Sequence, residues 1–142
     1  MAMSQTMDKT DQTLVTPAEI QWRPAPAVLP AGAQGAVLYG DPTKDGLFAM
    51  RFKLPKGYRV APHTLSKAGT FTVISGTFRI GMGEKADPSK ARAMPAGSFI
   101  ALPPGSPHFV SVDKETVVQL NNIGPWELTY TDAKDDPRQK PR

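Results

Sequence analysis

Two histidines, His63 and His108, are the only ones in this chain of 142 residues. An unperturbed imidazole titrates near pH 6.5, so a neutral histidine suits general acid–base work near neutrality, or the orientation of a polar ligand. Other chemistries have less footing. The chain contains no cysteine, which removes disulfides and thiolate metal sites. It carries no glycine-rich phosphate loop and no nucleophile elbow. Asp113 and Glu115 fall at a turn and are expected to face water. Gln119 and Asn121 share parity on one strand and are expected to face inward, as weak donors.

The formal charge of +4 is modest. One basic group stands out, at Arg51, Lys53, Lys56 and Arg59. Strand alternation explains most of it, because Phe48, Met50, Phe52 and Leu54 take one face and leave Arg51 and Lys53 on the other. No aromatic residue shares the strand face of Arg51 and Lys53, since Phe52 takes the other, so the group reads as a solvated outer face and not as a nucleic-acid stripe. No stretch approaches the roughly 18 apolar residues of a membrane span. The first dozen residues are polar and lack the apolar centre of a signal peptide. The expectation is a cytoplasmic protein that contacts neither membrane nor nucleic acid. A periplasmic location stays open, since a chain beginning after a removed leader would read the same.

The histidines must be positioned by strands. Fifteen prolines and twelve glycines fall between short apolar runs. Strand signals cover 35–39, 46–54, 58–63, 69–75, 77–82, 98–102, 107–112, 116–121 and 125–130, separated by turn residues such as Pro55-Lys56-Gly57 and Pro103-Pro104-Gly105. Residues 16–20 can form one helical turn at most. Short strands at regular spacing predict an all-β sandwich or barrel. The expected organisation is a flexible N-terminal arm over 1–16, a single barrel domain over 17–131 and a mobile, charged C-terminal tail over 132–142.

The spacing of glycine, proline and histidine carries a family resemblance. Gly57 is followed by five residues and then His63, and Gly76 closes the same stretch. Gly97, Pro103, Gly105 and His108 form a second group. These seven positions resemble the two motifs of the cupin superfamily. Gly40-Asp41-Pro42, Gly124-Pro125-Trp126 and Asp135-Asp136-Pro137-Arg138 are similar to a group of small single-domain bacterial cupins. The resemblance implies a double-stranded β-helix, the jelly-roll or cupin barrel. It also implies a homodimer formed through the barrel sheets.

In that family the two motifs supply three histidines and one glutamate to a divalent metal. Carried across, His63 matches the first ligand and His108 the last. Leu65 stands at the second histidine position, Gly69 at the glutamate and Val112 at a final asparagine. The metal signature is therefore degenerate. The resemblance implies at most weak binding of zinc, nickel, iron, manganese or copper by His63 and His108, with no firmly held cofactor.

The replacements predict an apolar pocket holding two imidazoles. Its expected lining is Leu65, Gly69, Phe71, Val73 and Gln119, with Gly69 opening space where a carboxylate would stand. The leading expectation is a barrel that binds a small organic molecule, with His63 and His108 available as acid and base. Two alternatives stay open: a metal-dependent enzyme of dioxygenase or isomerase type using both histidines as residual ligands, and a non-enzymatic sensor or structural dimer. The histidines could also be relics held by packing and a single hydrogen bond.

Overall fold

A computed structural model describes residues 12–139. Eleven strands account for nearly all of its regular structure: β1 (Arg23–Pro24), β2 (Gln34–Tyr39), β3 (Gly46–Leu54), β4 (Arg59–Leu65), β5 (Gly69–Ser75), β6 (Thr77–Met82), β7 (Ala91–Pro95), β8 (Phe99–Leu102), β9 (His108–Ser111), β10 (Thr116–Gly124) and β11 (Leu128–Tyr130). They form two antiparallel sheets. One is ordered β1-β2-β3-β10-β5-β8 and the other β11-β4-β9-β6-β7. Consecutive strands cross from sheet to sheet, as β3 to β4 and β8 to β9, which is the jelly-roll arrangement expected from the motifs. Among the described residues no helix is long and apolar enough to cross a membrane.

Alternation explains how the sheets face one another. On β3, Phe48, Met50, Phe52 and Leu54 are buried, while Arg51 and Lys53 lie on the outer face. β10 pairs with β3 along its whole length and buries Thr116, Val118, Leu120 and Asn122. These residues join Val60, Leu65, Phe71, Val73, Phe78, Ile80, Val110 and Val112, among others, in one core between the sheets. Gly76 makes the hairpin between β5 and β6 with φ +77°. A Cβ there would lie 2.5 Å from the Glu115 carbonyl oxygen, so only glycine fits the turn.

Several expectations change. The β10 parity is the reverse of that predicted: Gln119 and Asn121 face outward and Asn122 faces inward. Gln119 accepts from the Arg51 Nε–H at 2.7 Å and donates to the Asn121 side chain, so it lines no interior pocket. β1 and β7 carried no strand signal. β1 has only two residues, and β7 (ARAMP) leaves most of its side chains exposed at the sheet edge.

Of the expected N-terminal arm, 1–11 lie outside the described residues. Pro17–Glu19 form a 3-10 turn, and the Glu19 carboxylate accepts from the backbone N–H and hydroxyl of Thr16. Of the expected tail, 140–142 likewise lie outside. Ala133–Asp135 and Pro137–Gln139 are 3-10 turns, and Asp136 is buried with Arg138 bonded to both its carboxylate oxygens.

Candidate functional site

The two histidines meet in the interior. His63 on β4 is the register partner of His108 on β9. The β4–β9 pairing shifts between Val60 and His63, and this irregularity lets both Val60 and His63 point into the core despite their odd separation. The imidazole centroids are 4.1 Å apart with planes at 62°, an edge-to-face contact. His63 is 4% exposed and His108 1%. Tyr130, the partner of His63 on β11, places its ring 5.9 Å from the His63 ring.

The protonation of the pair follows from its surroundings. Burial disfavours the imidazolium, and the neighbouring His108 adds to the effect, so His63 is brought down to about 4. Burial also lowers His108. Both rings are therefore neutral at pH 7. His63 Nδ1 lies 2.7 Å from the Ala61 carbonyl oxygen, and His108 Nδ1 lies 3.0 Å from that of Ser106. A carbonyl only accepts, so each neutral ring carries its proton on Nδ1 and keeps a lone pair on Nε2. The protein thus sets two imidazole acceptors side by side. A general base works best with a pKa near the working pH. Burial has moved His63 well below it, which makes the pair better suited to accepting hydrogen bonds than to removing protons.

The family's other ligand positions carry no donor. Leu65 is 5% exposed, and a Cβ placed on Gly69 would lie 2.7 Å from Leu65 Cδ1. The missing carboxylate therefore opens no space at position 69 itself, because the leucine at the second histidine position lies over the glycine that replaces the glutamate. Phe71 and Val73 are core residues, with Phe71 stacked on Phe78. Val112, at the family's asparagine position, is 2% exposed and apolar.

Asn122, which the sequence did not single out, is a buried polar residue on β10. Its Oδ1 accepts from the Thr70 backbone N–H and hydroxyl. Its Nδ2 is buried without a partner. The Thr70 N–H can only donate, which fixes the orientation of the amide.

A resident metal does not fit this donor set. Among the described residues no group of three or more histidine, cysteine, aspartate or glutamate side chains could hold one. Open catalytic sites use three protein ligands and structural zinc four, whereas the barrel offers two imidazoles, with Leu65, Gly69 and Val112 at the family's other positions.

The comparisons with known proteins bear on the family and the fold. The family model described as "Domain of unknown function (DUF4437)" matches residues 4–129. The chain belongs to that family. Its fold is that of the cupins. The polyketide cyclase RemF from Streptomyces resistomycificus is similar over 89% of this chain and 90% of its own, at 14% identity and a TM-score of 0.74. An RmlC-like cupin from Shewanella frigidimarina is similar over 81% of this chain and 92% of its own, at 13% identity and a TM-score of 0.60. KdgF from Halomonas sp. is similar over 88% and 98%, at 16% identity and a TM-score of 0.57. At these identities the likeness is one of fold. No curated protein matches the chain by sequence.

Proposed function

We propose that this DUF4437 cupin binds a small organic molecule through hydrogen bonds to His63 and His108, without a firmly held metal. The observation that carries this reading is the pair of Nδ1 contacts to backbone carbonyls. They orient two neutral rings so that each offers its Nε2 lone pair, a pattern that reads hydroxyl or N–H donors on a ligand. The apolar surroundings strengthen such bonds. One neighbour in fold is named as a polyketide cyclase, so small-molecule work is compatible with the scaffold. Proton transfer by the pair would be slow at neutral pH because His63 is a weak base.

The test is nitrogen-detected NMR on 15N-histidine-labelled protein, with catechol as a probe carrying two adjacent hydroxyl donors. At pH 7 both rings are expected as Nδ1–H tautomers, and catechol should move both Nε2 resonances in a saturable way. An Nε2–H tautomer on either ring would refute the reading. So would purified protein holding close to one metal ion per chain, or Nε2 resonances indifferent to catechol.

We also propose that the cupin is a homodimer. Phe99, on the edge strand β8, is 62% exposed, and Ile74 on the neighbouring β5 is 38% exposed on the same outer face.

A further inference from the structure

A cleft of about 1180 Å3 opens on one side of the barrel, between the β1–β2 edge of one sheet and β11 of the other. Neither histidine lines it. Its wall includes Leu128, and Val28, whose carbonyl accepts from the Tyr130 hydroxyl at 2.6 Å. Tyr130 in turn stands against His63. One layer of protein therefore separates the cleft from the imidazole pair.

We infer that this cleft is a second ligand site, which takes a flat, uncharged, largely apolar molecule bearing an oxygen acceptor. The walls are apolar: Ile20, Val37, Met50, Trp126 and Leu128 all contribute. Met50 and Leu128 are buried and belong to the core, so the floor is preformed by packing. Val37 is 51% exposed, an apolar side chain left open on the cleft wall. The volume slightly exceeds the roughly 300–1,000 Å3 usual for small-molecule pockets, so a small organic ligand would fill part of it.

Charge narrows the class. Arg23 and Arg138 on the lining are offset by Glu19, Asp41 and Glu127, and Arg138 is already paired with Asp136. The lining is therefore slightly acidic, which disfavours an anion, and its largely apolar walls favour an uncharged molecule.

Trp126 supplies the polar requirement. Its backbone N–H donates to Pro42 O at 2.6 Å, and its ring packs 5.7 Å from Phe52, so the indole is held in place. Its Nε1–H is buried with no hydrogen-bond partner. Indole nitrogen only donates, and buried donors in folded proteins are nearly always satisfied. A ligand carbonyl or phenolic oxygen that enters the cleft and displaces the atoms covering Nε1 would supply the missing acceptor.

The site does not depend on the imidazole reading, and the experiment separates the two. In the full chain with Trp22→Phe, Trp126 is the only indole. 1-Indanone (flat, uncharged, with one carbonyl) is titrated against Trp126 fluorescence and the Nε1–H NMR resonance. Saturable quenching and a downfield shift of that resonance are expected. Indene has the same shape without the oxygen and should bind at least fivefold more weakly. Val37→Arg, at a half-exposed position where folding is not at stake, should weaken 1-indanone binding at least tenfold. The absence of a saturable response, equal binding of indene and 1-indanone, or indifference to Val37→Arg would overturn the inference. Loss of 1-indanone binding in a His63→Gln, His108→Gln protein that retains its fold would merge the cleft with the imidazole site and also overturn it.

Discussion

At the scale of single residues, the histidine pair couples stability to pH. His63 ordinarily titrates at 6.5 and in the fold at about 4. The unfolded chain therefore binds more protons than the folded one between those values. Stability is full above about pH 6.5 and falls as the pH drops toward 4, below which the loss is complete. For His63 alone the loss reaches roughly 2 kcal/mol by pH 5. His108, lowered in the same direction, adds to it. Urea midpoints measured at pH 7 and pH 5 should separate widely in the natural protein and much less in His63→Phe. Equal separations would show that the pair titrates normally.

Leu65 and Gly69 form a second residue-scale unit, since Leu65 Cδ1 occupies the ground a Cβ on Gly69 would need. Gly69→Ala alone should cost about 1 kcal/mol by overpacking. In a Leu65→Ala background the same change should cost nothing or stabilise, a coupling that a double-mutant cycle reads directly. Leu65→His with Gly69→Glu restores two ligands beside His63 and His108 and should bring zinc content to about one per chain. Zinc as low as in the parent protein would show that the backbone no longer holds the ligand geometry.

At the scale of elements, two tyrosines pin 25–33 against the barrel. Tyr58 donates to the Pro30 carbonyl at 2.5 Å and Tyr130 to that of Val28 at 2.6 Å. Burial raises both hydroxyls, Tyr130 to about 12, so each remains a donor throughout the neutral range. Tyr130→Phe leaves the buried Val28 carbonyl unpaired and should destabilise by about 1–3 kcal/mol. Hydrogen exchange in 25–33 should quicken more than in β3 or β10, and uniform quickening would mean that the segment does not open on its own.

Much of the element layout was legible in the sequence, because strands buried on one face write their alternation plainly, as Phe48 to Leu54 does on β3. β7 was not, since an edge strand with mostly exposed side chains has no apolar rhythm to read. The parity of β10 was misjudged because it is apolar at both kinds of position. Val117 and Ile123 face outward while Val118 and Leu120 face inward, so the run alone does not say which side takes Gln119. The histidines were found through motif spacing. Their tautomers, the closure of Leu65 over Gly69 and the unpartnered Asn122 Nδ2 depend on three-dimensional contacts that no periodic pattern records.

At the scale of the whole molecule, a two-sheet barrel has two open sides, and this one treats them differently. On the β2–β11 side the N-terminal segment and the Trp126 loop wall a cleft. On the opposite side β8 and β7 end their sheets, and β8 presents Phe99 on its outer face. An exposed edge strand with a large apolar side chain invites pairing with another chain unless something covers it. A second copy placing its own β8 alongside would extend the six-stranded sheet and bury Phe99 and Ile74 together, in the self-complementary contact that a twofold dimer requires. Light scattering should give twice the chain mass at micromolar concentration. Phe99→Glu with Ile74→Glu should give a folded monomer, since both side chains are outside the core and the charges would meet their own copies across the twofold axis. A monomer in the natural protein, or a dimer that survives both charges, would place the self-association elsewhere or remove it. The cleft, on the far side of the barrel, would remain open in either state.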